Sequence, residues 1–294
     1  MQVRGYDIGV CSWSLQPKDA ADLISKVRQL GLEHVQLGLG MLLARESVSR
    51  ADELARLRDS GLNLTAAAIN FPGEDYSSIG VIRRTGGFVS DDQWPVRKEV
   101  ALRAGELTAE LGLKYITSHI GFVPASSDPS YTVMVERVRE VAKGLARDGV
   151  DLLVETGPES ASELLQFLND LNCRNVAVNF DPANMILYGS GDPIESVAIL
   201  NRRIRHVHLK DAVASSQPGV QWGKEVSFGT GQVGVESLLE ALDEVEYAGV
   251  LCIERESGTD RMADVRQAIE ALRRAESIED IARAAGPGFS GGAV

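Results

Sequence analysis

The sequence predicts an α/β fold of one kind, a single (β/α)8 TIM barrel, and three observations carry that expectation. Strand-like and helix-like runs alternate from end to end, eight of each. The unit length repeats: Glu155 to Asp181 is 26 residues and Asp181 to His208 is 27, near the roughly 30 per unit of a barrel of about 250 residues. Four successive strand runs also end in chemistry-bearing side chains: Glu155 in DLLVETG, Asp181 in VAVNFDPAN, His208 in IRHVHLKD and Glu254 in VLCIERE. An open doubly wound sheet alternates strands and helices too. Equal units, and ligand-type residues on strands five through eight, favour the closed ring.

The elements follow in order. Strand one is 7–13 (DIGVCSW), and the helix after it places Leu23, Val27 and Leu30 on one stripe before Gly31 ends it. Strand two is 34–39, a helix covers 49–60 up to Gly61, and strand three is 64–71. A polar insert with GEDYSS and RRTGG comes next, then a helix over 95–111 and strand four at 115–122. Met134, Val138, Val141 and Leu145 line one face of the fourth helix, which stops before Gly149. Strand five is 151–155, the fifth helix buries Leu164, Leu168 and Leu171, and strand six is 176–181. Asp192 and Pro193 suit the cap and first position of a helix over 193–200. Strand seven is 204–209, a helix carries Leu238, Leu239, Leu242 and Val245, strand eight is 249–255, and the last helix runs over 260–283. Runs such as Leu152–Val154 and Val250–Ile253 are apolar on both faces, as covered parallel strands are. His208 to Glu254 is 46 residues, and the excess lies in 212–233, read as a long loop with Trp222 and Lys224 on the ligand face.

Composition bounds the function. At 294 residues and 44% apolar, the chain can bury one large core. The expected division is one barrel domain, 1–284, and a Gly-rich, mobile tail, 285–294. No apolar stretch approaches the roughly 20 residues that span a bilayer, and MQVRGYDIGV runs into strand one without a secretory apolar core. A cytoplasmic location without membrane partners is therefore expected. Cys11, Cys173 and Cys252 form no CxxC, so neither a redox pair nor a Cys-type zinc site is indicated. A net charge of −12 disfavours nucleic-acid partners, whose phosphates need Lys and Arg.

Burying an unpaired carboxylate is expensive, so three of them and an imidazole at buried strand ends point to a cation that offsets the cost. Three carboxylates and one imidazole make a hard donor set for one divalent metal ion. It suits Mn²⁺ (the expected ion), Mg²⁺ or Co²⁺, and Zn²⁺ is compatible. Glu155 and Glu254 would oppose each other across the ring, where they could be both ligands and an acid/base pair on the two faces of a bound carbonyl compound.

NFDPANM, HVHLKD, the VETG strand and the IERE strand resemble the xylose-isomerase-like sugar phosphate isomerase/epimerase family, related to the AP-endonuclease-type barrels. The resemblance runs from CSWSL to IERESG. It implies Glu155, Asp181, His208 and Glu254 as metal ligands, Glu155 and Glu254 as catalytic acid and base, a small-molecule sugar substrate, and possible homo-oligomers. The chain departs from the family in two places. Asn184 stands where several relatives have His, and Ala212, Val213 and Ala214 follow strand seven where some ketose epimerases carry Arg. The extra ligands of the DNA-repair branch are not all evident.

Further candidates surround the mouth. Trp13 suits a sugar face as well as it suits packing. Asn70 and Glu159 could bind hydroxyls, Asn184 likewise, and His119 ends strand four on the same side. Lys210 either reaches developing oxyanion charge or pairs with Asp211 in solvent. His206 alternates with His208 and is deeper, fitting a supporting role. Gly229-Thr-Gly231-Gln-Val-Gly234 matches a dinucleotide fingerprint by letter but follows a polar loop. It is read as a turn into the seventh helix, with oxyanion binding as a weaker alternative.

The expected activity is a metal-dependent isomerase or epimerase of a small sugar, ketose or keto-sugar derivative. The alternatives are a lyase or dehydratase on a cyclic polyol or oxidised glycoside, an AP-endonuclease-type phosphodiesterase, and a non-catalytic sugar-binding protein.

Overall fold

In the computed structural model, which describes residues 1–44 and 47–285, eight parallel strands close into a ring. They are β1 (Tyr6–Cys11), β2 (His34–Gly38), β3 (Asn63–Ile69), β4 (Tyr115–Ser118), β5 (Asp151–Glu155), β6 (Val176–Phe180), β7 (Ile204–Leu209) and β8 (Leu251–Ile253). Each pairs with the next, and β8 pairs back onto β1 with Leu251 beside Ile8 and Ile253 beside Val10. Closure needs Gly9. A Cβ there would lie 2.8 Å from Cys252 Sγ and 2.9 Å from the His34 carbonyl oxygen. The outer helices are α1 (Ala20–Gln29), α2 (Ser47–Arg58), α3 (Trp94–Glu110), α4 (Pro129–Arg147), α5 (Ala161–Leu171), α6 (Pro193–Leu200), α7 (Val235–Glu244) and α8 (Arg261–Ala285).

Local chemistry sets these ends. Ser160 and Glu163 form a reciprocal capping box at α5, and Asp192 accepts amides of Ile194 and Glu195 at α6. The predicted stripes on α4 and α5 are buried against the barrel, joined by Phe167. Of the tail expected over 285–294, residues 286–294 lie outside the described part. Among the described residues no helix is long and apolar enough to cross a membrane.

The differences from the sequence reading gather at the strand ends that carry function. Strand one stops at Cys11 and turns into a 3-10 segment, Ser12–Leu15, so Trp13 sits on a turn. Strand four stops at Ser118, leaving His119 on a loop, and strand eight ends at Ile253, so Glu254 lies just beyond it. The polar insert contains a helix, Ile79–Thr85, capped by Ser78. A further helix, Pro182–Tyr188, follows β6, and Asp181 is its cap. The long 212–233 loop begins in a hairpin that pairs Asp211–Val213 with Lys224–Val226. Short strands with long returns free backbone at the carboxyl ends, where side chains must converge and not alternate.

Two register shifts interrupt the ring, one between Val35 and Gln36 and one between Val178 and Asn179. The extra residues are Thr65 on β3 and Arg205 on β7, so β2 and β6 keep plain alternation and carry Gln36 and Asn179 to the inner face. Gln36 and Asn179 are both fully buried and both contact His208. The layer of the barrel interior immediately beneath the mouth is thus polar.

Candidate metal centre and active site

Glu155, Asp181, His208 and Glu254 come together at the carboxyl ends of β5 to β8. One donor atom from each lies within 4.8 Å of all the others. His208 Nδ1 is 3.0 Å from Glu254 Oε2 and 3.5 Å from both Glu155 Oε1 and Asp181 Oδ2. Asp181 Oδ1 accepts the Asn184 amide as a helix cap, which turns Oδ2 toward the cluster. Asp181 Oδ2 and Glu254 Oε2 are buried and make no aligned hydrogen bond, although the Lys210 ammonium approaches them at 3.6 and 3.1 Å. Buried carboxylate oxygens normally accept hydrogen bonds, so two that accept none and face only the charges of His208 and Lys210, aimed at a shared point, fit a divalent cation. The oxygen-rich donor set fits it too.

Electrostatics keeps the acids ionised. Burial raises the pKa of each carboxylate, but opposing charges outweigh it. His119 and His208 bring Glu155 below the usual range, Lys210 and His208 do so for Asp181, and His208 and Lys210 for Glu254. Burial lowers the basicity of His208, yet Glu254 and Glu155 raise it well above the ordinary value. His206 goes the other way. Burial and the neighbouring His208 depress it to about 3, so it is a neutral ring.

A network beneath the cluster orients it. His208 Nε2–H donates to Gln36 Oε1 at 2.6 Å, leaving Nδ1 facing the carboxylates, and Gln36 Nε2 donates to Thr117 Oγ1 at 3.0 Å. His206 Nδ1 pairs with Asn179 Oδ1 at 2.8 Å and its Nε2 with Thr65 Oγ1 at 3.0 Å, the supporting place expected for it. Gln36, Thr117 and Asn179 were not anticipated. Alternation puts Gln36 on the inner face of β2, but a lone amide in HVQLGL does not by itself name His208 as its partner. Gln36→Leu is expected to leave the His208 N–H unpaired. It should lower divalent-metal affinity by about 10–100-fold and stability by about 1–3 kcal/mol, read by calorimetric metal titration and thermal melts.

Above the cluster opens a cavity of 380 Å³, lined on its polar side by Asn70, His119, Glu155, Glu254 and Glu256, and on its apolar side by Trp13, Pro17, Met41 and Ile69. Of the quartet, only Glu155 and Glu254 line it; Asp181 and His208 lie beneath. Trp13 Nε1–H donates to Glu254 Oε1 at 2.8 Å, and Gly38 leaves room for its ring. His119 Nε2 lies 3.5 Å from Glu155 Oε1. Burial lowers the His119 pKa, but Glu155, Glu74 and Glu256 more than offset it, and the net shift is upward.

Asn184, Lys210 and Glu159 do not line this cavity. Asn184 Nδ2 donates to Glu155 Oε1 at 3.0 Å and to the Thr156 carbonyl at 3.3 Å. Lys210 is buried and pairs with Glu256 at 2.6 Å, replacing the solvent pairing with Asp211 considered from sequence. Asp211 instead accepts the amides of Ala212, Gly229, Gly231 and Val233. The GxGxxG segment is thus a turn folded around the protein's own carboxylate, which takes the amides of Gly229, Gly231 and Val233. Glu159 accepts the Val123 amide at 2.7 Å, and burial raises its pKa to about 7. Its native carboxyl therefore holds a proton that the unfolded one releases above the ordinary range. Stability is expected to fall as pH rises from about 4.5 to 7, by roughly 3 kcal/mol in total. Glu159→Gln should remove that slope from melts recorded across the window.

An aromatic group borders the mouth. Trp222 Nε1–H donates to the Tyr76 carbonyl at 3.1 Å, and the Tyr188 and Phe122 rings continue the contact. Tyr76 comes from the polar insert and Trp222 from the 212–233 loop, 146 residues apart.

Comparison with known proteins agrees with this fold. No curated protein matches the chain. Among solved structures it is similar to a xylose isomerase domain protein from Planctomyces limnophilus, with 33% identity and a TM-score of 0.83 over 94% of this chain and 99% of that one. The fold is shared with a xylose isomerase-like TIM barrel protein from Mycobacterium smegmatis in complex with magnesium, at 17% identity and a TM-score of 0.70 over 94% and 99% of the two chains. It is shared also with an L-ribulose 3-epimerase, at 18% identity and a TM-score of 0.70 over 97% and 99%. The model of one family, described as xylose isomerase-like TIM barrel, matches residues 24–275, a span that includes β2 to β8 and all four clustered residues. The chain belongs to the xylose isomerase-like TIM barrel family.

Proposed function

We propose that the 380 Å³ cavity is the active site of a divalent-metal-dependent isomerase or epimerase acting on a small sugar, ketose or keto-sugar derivative. The carrying observation is the division within the quartet: all four residues converge, but only the two glutamates face the cavity. Asp181 and His208 are placed to hold an ion, whereas Glu155 and Glu254 are placed to hold it and reach a substrate. The volume suits a monosaccharide-sized ligand, near the small end of ligand pockets. Membership in the family and the likeness to an L-ribulose 3-epimerase support the reading.

A bound divalent ion, Mn²⁺ by our reading, would polarise the substrate carbonyl and acidify the adjacent C–H. The protein's own residues manage the proton. Glu155, ionised at neutral pH, is steadied by Asn184 and faced by His119. Glu254, ionised as well, is steadied by Trp13. One carboxylate takes the proton from one face of the substrate carbon, and the other returns one to the opposite face. Trp13, Asn70 and His119 are the residues placed to contact the sugar. Asn184 and Lys210 act through the carboxylates, and Glu159 holds the loop at Val123.

Turnover of candidate ketoses and 3-keto-glycosides in D₂O with Mn²⁺ tests the reading. Expected is an isomeric product carrying one deuterium at the inverted or isomerised carbon. A product lighter by water or an aglycone would instead establish the lyase, and turnover without solvent deuterium would overturn proton transfer by the glutamates.

A further inference from the structure

The quartet shares two members with another donor group. Cys11, the last residue of β1, is fully buried. Its sulfur, a His208 nitrogen and a Glu254 oxygen all lie within 4.8 Å of one another. Topology produces this group. β8 and β1 are parallel neighbours with Ile253 beside Val10, so the next residues, Glu254 and Cys11, emerge side by side where the ring closes. Cys11 Sγ–H donates to Gln36 Oε1 at 3.4 Å, the same oxygen that accepts from His208 Nε2. Glu254 is almost fully buried, and its Oε2 makes no aligned hydrogen bond and is met only by the charges of His208 at 3.0 Å and Lys210 at 3.1 Å. Every member is buried.

We propose that Cys11, His208 and Glu254 form a softer donor set in the floor of the same centre, where thiophilic ions such as Zn²⁺ or Cd²⁺ are captured with a sulfur ligand. Hard ions keep the Glu155–Asp181–His208–Glu254 set. The inference rests on the reading of that quartet as a metal centre. Its physical basis is ligand class: thiolate selects soft or borderline ions, whereas Mn²⁺ and Mg²⁺ gain little from sulfur and prefer carboxylates. A compact S, N, O set suits the low coordination number of Zn²⁺. On capture the Cys11 S–H bond breaks, the proton passes to solvent and a sulfur–metal bond forms, with no change of oxidation state. Because Glu254 would be drawn toward β1 and away from the ion position that Glu155 shares, the captured ion would be inhibitory. Cys252 belongs elsewhere, since its sulfur faces His206 Nε2 at 3.5 Å and Thr65 Oγ1 at 3.7 Å.

Titration of metal-depleted protein with Cd²⁺, and separately with Mn²⁺, tests the inference, with binding followed by calorimetry and ultraviolet absorption. Expected is a thiolate-to-cadmium charge-transfer band that saturates at one ion per chain. The band should be lost in Cys11→Ser and kept in Cys252→Ala. Cys11→Ser should also weaken Cd²⁺ by about tenfold or more while Mn²⁺ affinity changes far less. X-ray absorption of the Cd²⁺-loaded wild type reads a sulfur neighbour directly and does not depend on any variant folding. Cd²⁺ binding without a band or a sulfur neighbour, or a band that survives Cys11→Ser, would overturn the role of Cys11 while leaving the quartet reading intact. Failure of both ions to bind would remove the two readings together.

Discussion

Glu254→Gln is expected to lower turnover by about 10²- to 10⁴-fold at saturating Mn²⁺ while the chain stays folded. Gln keeps the shape and an oxygen for the Trp13 indole N–H, which donates at 2.8 Å to Glu254 Oε1. It loses the charge that faces His208 at 3.0 Å and Lys210 at 3.1 Å, and it cannot accept a proton from carbon. Metal affinity should fall as well, so turnover must be measured across a Mn²⁺ titration; the deficit that persists at saturation belongs to the lost base. Glu155→Gln is expected to have an effect of similar size. The pair carries a sharper test. With two bases on opposite faces, each variant should still exchange the substrate hydrogen on the face of its surviving glutamate, giving deuterium wash-in to one epimer without conversion. If one variant loses exchange with both epimers and the other keeps it with both, a single base does the work and the two-face assignment is wrong.

Lys210→Met is expected to destabilise the metal-free protein by about 3–5 kcal/mol, because it removes one partner from a buried charge group and leaves the others uncompensated. Lys210 is buried, within 3.6 Å of Asp181 and 3.1 Å of Glu254, and it pairs with Glu256 at 2.6 Å. Without it, the oxygens that already lack hydrogen bonds face only His208. Divalent metal should then restore much of the loss, since an ion that binds only the native state adds stability through its affinity. The melting temperature of the variant should therefore respond to Mn²⁺ far more than that of the wild type. Equal responses would mean that lysine and metal do not share the same charge deficit.

Several parts of this site are legible along the chain. Glu155, Asp181, His208 and Glu254 each follow an apolar run, and their regular spacing assigns them to neighbouring strands of one ring. Parallel strands buried on both faces read as continuous apolar segments, so a charged residue at their end is conspicuous. Trp13, Asn70 and His119 could be placed at the mouth on the same grounds, and they do line the cavity. Glu256 is legible in principle, two residues beyond Glu254 in the IERE segment, and it too lines the cavity.

Other parts have no linear signal. Gln36 and Asn179 reach the inner face by ordinary alternation, but that His208 is their common partner depends on how β2, β6 and β7 are set across the ring. Lys210 and Asp211 are adjacent and opposite in charge, which suggests a solvent pair, yet each is buried toward different partners. Tyr76 and Trp222 meet across the mouth from loops whose approach depends on the whole ring.

By itself the sequence determined the barrel, its order of strands and the identity of the clustered ligand-type residues, because periodicity, unit length and the cost of burying charge are local properties of a chain. The tertiary structure alone decided which of those residues line the cavity, which lysine neutralises them and which amides orient them. Those roles depend on distances of a few ångströms between strand ends brought together only when the ring closes, and no spacing along the chain encodes them.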